Sequence, residues 1–275
     1  MKKILGYNDI KLYVNDEGNP NGPVLLFIHG FSQSSLSWKR QRCSSLKDDF
    51  RLVSIDIRGH GSSDKPQIAD AYNNHLPFAH DIEAVLNYID VNKVLPVCWS
   101  MGGNWICDYL REFGEKRLSG IFLVGASTQQ GTPVTENFFG SGALQNLQGL
   151  FETDLQKNIS ATKNFVRACV SKPHSAQDFD EALAYNMIVS NEIREWMLGR
   201  ISNNNDILLK LTLPIIQIHG SLDKIVLPCA GEYTIQNISH NEKELILYKG
   251  VGHSPFYETP NKFNLDLRKF AQKIF

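Results

Sequence analysis

Apolar and polar positions follow two rhythms along this chain, and they take turns. Short runs of β-branched and aromatic residues alternate with stretches in which apolar side chains return every three or four positions. That alternation predicts a parallel sheet with helices on both faces. Ile10 to Val14 alternates and predicts one strand of an opening hairpin. Val24-Leu-Leu-Phe-Ile28 is apolar throughout, as in a strand covered on both faces. Leu52 to Ile57, Ile121 to Val124, Leu213 to Ile218 and Leu245 to Tyr248 predict further strands. Phe78, Ile82, Val85, Leu86 and Ile89 recur at helical spacing, as do Trp105, Tyr109 and Phe113. A last helix opens with Thr259 as N-cap and Pro260 at its first position. Phe263, Leu267, Phe270 and Ile274 give it an apolar stripe facing the sheet.

From about Gln129 to Leu208 the alternation stops. The stretch is helical in character, with helices expected over Phe179–Val189 and Glu192–Arg200. It predicts a helical cap (lid) insertion, residues 129–208, over the C-terminal edge of the sheet, with the α/β core formed by residues 1–128 and 209–275. No internal repeat is present.

Composition narrows the function classes. The 275 residues are 42% hydrophobic and 21% charged, enough for one large α/β core, and the net charge is −1. Nothing in that balance points to nucleic acid or an anionic membrane, so a small neutral or weakly polar substrate is the expected partner. The five cysteines lack CxxC spacing and read as free thiols in a reducing, cytoplasmic compartment. Asn8, Asp9 and Lys11 interrupt the N-terminal segment, which therefore does not read as a signal peptide. No cofactor or metal site is expected.

The chemistry concentrates at strand ends. Cys98-Trp-Ser-Met-Gly102 sits where an apolar strand meets a helix, a turn that lifts the Ser100 side chain clear of the backbone and needs small residues two before and two after it. The helix N-terminus adds free N–H groups that favour developing negative charge. His219-Gly-Ser-Leu-Asp223 follows a later strand, and Lys249-Gly-Val-Gly-His253 follows the last one. A serine nucleophile needs a base, and the base needs an orienting carboxylate. Two features are unusual: Cys98 stands where such turns usually begin with Gly, and Pro96 removes a ladder hydrogen bond from a central strand, which predicts a local bulge there.

Ser100-Met-Gly-Gly with the order Ser, Asp, His resembles the nucleophile elbow and triad of the α/β-hydrolase fold. Phe27-Ile-His-Gly-Phe-Ser32 resembles that family's oxyanion loop, and Asp56-Ile-Arg-Gly-His-Gly-Ser-Ser-Asp64 its structural DxRGxGxS segment. The resemblance implies a mostly parallel eight-stranded sheet and catalysis by Ser100, Asp223 and His253. It also implies an oxyanion hole built from the Phe31 and Met101 backbone N–H groups. His29 would brace that loop. Ser32, Trp99, Phe138, Phe139, Tyr185 and Trp196 are the candidates for lining the substrate pocket.

Within the family, a serine nucleophile argues against the haloalkane dehalogenase and epoxide hydrolase branches, which use Asp. Carbon–carbon bond hydrolases usually carry Trp after the histidine, where this chain has Ser254. Many cofactor-free haloperoxidase-like perhydrolases carry Pro in the oxyanion loop, where this chain has Ser32. The leading expectation is a serine carboxylic-ester hydrolase working through an acyl-enzyme on Ser100. The alternatives are a perhydrolase-like or carbon–carbon hydrolase, or a catalytically slow ligand receptor of the same fold.

Overall fold

In the computed structural model, which describes residues 2–275, a single twisted sheet runs in the order β1-β2-β4-β3-β5-β6-β7-β8. Its strands are β1 (Lys2–Leu5), β2 (Lys11–Gly18), β3 (Val24–Ile28), β4 (Arg51–Asp56), β5 (Val94–Trp99), β6 (Ile121–Val124), β7 (Ile215–Gly220) and β8 (Lys243–Tyr248). The pairs β1–β2 and β2–β4 are antiparallel and all the others are parallel.

The central strands are apolar throughout because each face meets a separate core. Val24, Leu26 and Ile28 of β3 enter one cluster, while Leu25 and Phe27 enter the other. Cys98 of β5 joins the first cluster, and Val97 and Trp99 join the second. This is the period-2 alternation of a strand with two buried faces. Two short helices, α1 (Lys39–Arg42) and α2 (Leu46–Asp49), precede β4, and α3 (Leu76–Ile89) follows it. On α3, Phe78, Ile82, Val85, Leu86 and Ile89 all bury into the first cluster, together with Trp105 and Tyr109 of α4 (Gly102–Phe113).

Between β6 and β7 lie α5 (Ser141–Phe151), α6 (Leu155–Ala168), α7 (Ala176–Met187), α8 (Asn191–Leu198) and α9 (Asn205–Lys210). Side chains of Asp154, Ser175 and Ser190 cap α6, α7 and α8 by accepting from backbone amides of the first turn. The chain closes with α10 (Pro228–Gln236), α11 (Pro255–Glu258) and α12 (Pro260–Ile274). Thr259 does stand at the N-cap of α12, but its hydroxyl donates back to the Pro255 carbonyl at 3.0 Å and does not cap the helix. Among the described residues, no helix is long and apolar enough to cross a membrane.

Pro96 corrects one expectation. Strand β5 is regular against β3, with Leu26 opposite Pro96. The extra residue lies on the other neighbour: Val94 pairs with Leu118 and Val97 with Phe122, so four steps oppose three. Val94 exchanges its hydrogen bonds with Arg117 and Ser119, and alternation turns Pro96 to that same side. The missing N–H therefore falls where the neighbouring chain bulges and offers no ladder acceptor.

Candidate active site

Strand β5 ends at Trp99, and Ser100 then adopts φ +55°, a left-handed conformation that a non-glycine residue holds only under constraint. The constraint is packing on both sides of the turn. The Ser100 amide donates to Val124 O at 2.9 Å. A Cβ on Gly102 would lie 3.0 Å from Ile28 O, and one on Gly103 would lie 2.9 Å from Ala126 Cβ. Helix α4 thus starts so close to the ends of β3 and β6 that its first two residues have little or no room for a side chain. Cys98 is accommodated because its side chain points into the core, where burial pushes the thiol well above its ordinary range.

Asp223 and His253 come together from the loops after β7 and β8. His253 Nδ1 donates to Asp223 Oδ2 at 2.7 Å, while Asp223 Oδ1 accepts from the Ile225 and Val226 amides at 2.8 and 3.1 Å. A second imidazole backs the carboxylate. Gln217 Nε2 donates to His219 Nδ1 at 3.2 Å, so His219 Nε2 carries the proton, which it directs mainly to Val226 O at 2.8 Å while lying 3.3 Å from Asp223 Oδ2. Burial alone would raise the Asp223 carboxyl, but His253 and His219 outweigh it and hold the group at about 2. The carboxylate is therefore ionised at any working pH and fixes the proton of His253 on Nδ1. Nε2 is left as the basic nitrogen.

Gly125, at the end of β6, has φ +49°, and a Cβ there would lie 3.2 Å from both Asp223 Oδ2 and His253 Nδ1. The β6 end is kept bare so that the carboxylate can arrive from β7. Ser100 Oγ and His253 Nε2 make no hydrogen bond to each other or to another described residue. Catalytic hydrogen bonds often close only once substrate is bound.

The loop after β3 passes directly over the serine. A Cβ on Gly30 would lie 2.8 Å from Ser100 Cβ, so only glycine fits. Gly30 O is held by the Gln33 amide at 3.2 Å and by His29 Nδ1 at 2.8 Å, while His29 Nε2 accepts from Ile57 N at 3.1 Å. Anchoring that carbonyl fixes the plane of the Gly30–Phe31 peptide, and its N–H must point the opposite way. Neither the Phe31 nor the Met101 amide donates to another described residue, and both residues line the cavity that contains Ser100. Two unspent donors beside a hydroxyl form the setting in which a developing oxyanion is stabilised.

That cavity measures about 500 Å³ and is walled largely by apolar residues of the inserted helices, including Ala143, Leu147, Leu150 and Phe165. Of the six residues expected in the pocket, Phe139 lines it. The others do not. Phe138, its neighbour, turns away to pack on Tyr233 with ring centroids 5.3 Å apart. Trp196 stacks on Tyr72, and Ser32 is buried in hydrogen bonds. Tyr185 and Trp99 face a separate narrow cleft of about 60 Å³ beside Ser254. Leu147, Leu150, Ile225 and Val226 line the main cavity without having been singled out, because helical spacing marks an apolar face and not what that face meets. Among the described residues, no cluster of three or more His, Cys, Asp or Glu side chains is placed to hold a metal ion.

One further carboxylate acts on the imidazole loop. Glu258 of α11 accepts from the Gly252 amide at 2.7 Å, the Ser171 amide at 2.9 Å and the Ser171 hydroxyl. It clamps the residue before His253 to the segment following α6.

Sequence comparison agrees with this architecture. The chain belongs to the alpha/beta hydrolase fold family, whose family-wide sequence model matches residues 23–260. It is 26% identical to a bifunctional esterase/perhydrolase, DCH, of Acinetobacter calcoaceticus, over 96% of both chains. It is also 26% identical to the non-heme chloroperoxidase CPO-A1 of Kitasatospora aureofaciens, over 96% of this chain and 97% of that one. Among solved structures it resembles the esterase RhEst1 from Rhodococcus sp. ECU1013, with a TM-score of 0.93 and 28% identity, covering 100% of this chain and 99% of the other.

Proposed function

We propose that this protein is a serine carboxylic-ester hydrolase acting through an acyl-enzyme. The observation that carries the reading is the His253 imidazole on a buried, ionised Asp223, set in the same site as a left-handed Ser100 and two unspent amides. In this scheme His253 Nε2 takes the Ser100 proton as Oγ attacks the ester carbonyl. The Phe31 and Met101 amides receive the oxyanion, and the imidazolium returns the proton to the departing alcohol. Water then attacks the acyl-serine with His253 as base, releasing the acid and regenerating Ser100.

Residues 129–208 serve as the cap, and the cavity they enclose takes the acyl group; its wall of Leu147, Leu150 and Phe165 suits an apolar chain or ring. The same acyl-serine can pass its acyl group to hydrogen peroxide in place of water, giving a peracid. The name of the Acinetobacter relative supports that second outlet. A panel of p-nitrophenyl esters from acetate to decanoate tests the proposal, with Ser100→Ala as control. Turnover abolished in the variant is expected, and undiminished turnover would refute it.

A further inference from the structure

Among the described residues three arginines are buried, and two of them have counter-ions. Arg58 pairs with Asp81 and Arg200 with Asp108, each through two nitrogens. Arg194, on α8, is fully buried yet has no carboxylate partner among the described residues. Its Nε donates to Ser32 Oγ at 3.1 Å and its Nη2 to Asn186 O at 2.6 Å. Its Nη1 donates to Leu150 O at 3.2 Å and to Asn158 Oδ1 at 3.4 Å. Burial lowers the guanidinium to about 10, so it stays charged at neutral pH. Burying a cation without a counter-ion is costly, and a well-packed apolar side chain is often the more stable choice. The bonds of Arg194 to Leu150, Asn158 and Asn186 tie the inserted helices together, but an apolar side chain could pack there without burying a charge.

Among the described residues, its one side-chain hydrogen bond to the hydrolase core gives a better reason. Ser32 directly follows Phe31 and holds φ +62°, a left-handed conformation that a non-glycine residue keeps only when its surroundings impose it. Three bonds fix it: the Ser32 amide donates to His60 Nε2 at 3.1 Å, and its hydroxyl accepts from Arg194 and donates to Asn186 O at 3.5 Å, the same carbonyl that takes Arg194 Nη2. His60 Nδ1 meets Arg58 O at 3.0 Å, so its Nε2 is the acceptor of a neutral ring. The cation is fully buried and hydrogen-bonded to the residue that follows Phe31.

We propose that Arg194 is a positioning residue for acyl transfer: it locks Ser32 in the left-handed turn that aims the Phe31 amide at Ser100, and it supplies a fixed positive charge behind the site where the oxyanion forms. The inference rests on the ester-hydrolase reading above. A charge already buried and already hydrogen-bonded needs no reorganisation when the anion appears, which is the condition under which electrostatic stabilisation is most effective. It also couples the inserted helices to the oxyanion loop through one side chain.

The test uses Arg194→Met, Arg194→Lys and Ser32→Ala. p-Nitrophenyl butyrate serves as substrate, and butylboronic acid, which adds to an active serine as a tetrahedral anion, serves as probe. Rates are normalised to the fraction labelled by an active-site phosphonate, so loss of folded protein does not count as loss of turnover. Arg194→Met is expected to lower kcat by about tenfold to a hundredfold, less than the loss of a direct oxyanion donor. KM should change little, and boronate affinity should fall in parallel with kcat. Arg194→Lys keeps the charge and should recover part of the loss, and Ser32→Ala should lose less than Arg194→Met. The proposal is overturned if Arg194→Met keeps kcat and boronate affinity within about twofold of wild type, whatever its melting temperature. Should Arg194→Met not fold, unchanged kcat in both Arg194→Lys and Ser32→Ala overturns it equally. A wild-type protein that hydrolyses no ester and takes no phosphonate refutes the reading beneath it, a failure visible before any variant is compared.

Discussion

The indole N–H of Trp99 donates to the carbonyl of His253 at 2.9 Å, and the two rings lie 5.4 Å apart. The residue that precedes Ser100 thus holds the loop that carries the imidazole. Trp99 packs in turn on Trp38 and Phe256, so the second core cluster positions the Ser100 turn relative to the His253 loop. Trp99→Phe keeps most of that packing and removes the bond. A fall in kcat of about tenfold with little change in melting temperature is expected, since small displacements of reacting groups are costly. Steady-state kinetics beside a thermal melt would show it.

Asp223→Asn should reduce kcat by about 10⁴, because the amide no longer favours the Nδ1–H tautomer of His253. The acid response changes as well. The folded carboxyl sits at about 2, below its unfolded value, so it stabilises the fold above about pH 4 and that contribution disappears as the pH falls towards 2. Urea titrations at pH 5 and pH 2.5 should show a smaller pH dependence in Asp223→Asn than in wild type.

Gly125→Ala places a methyl group against both Asp223 and His253 at a left-handed backbone position. A stability loss of about 1–2 kcal/mol is expected from the backbone alone. The larger effect should fall on kcat, through displacement of the Asp223–His253 pair. Chemical denaturation and turnover measured on one preparation separate the two.

Much of this architecture is legible along the chain because strand ends carry their signals locally. The Val24–Ile28 run, the Ser100 turn and the loops bearing Asp223 and His253 can each be read from a few neighbouring residues. The cavity wall cannot. Phe138 and Phe139 are adjacent and chemically identical, yet one packs on Tyr233 and the other lines the cavity, a difference set by how the segment crosses Val226. Arg194 and Glu258 are likewise ordinary helix residues until the fold brings them to Ser32 and Gly252.

The cavity wall makes its own prediction. Ala143 of α5 borders the space beside Leu147 and Leu150. Ala143→Phe should leave acetate ester hydrolysis near wild type and cut kcat/KM for octanoate by at least about tenfold, since lost cavity volume is felt by long chains first. An acyl-length series on both proteins measures the shift.

The central claim is that Ser100 is the nucleophile, and covalent labelling tests it most directly. A fluorophosphonate should add one equivalent to the protein, peptide mapping should place it on Ser100, and ester turnover should fall in proportion. Label on another residue, or full ester turnover in Ser100→Ala, would contradict the account.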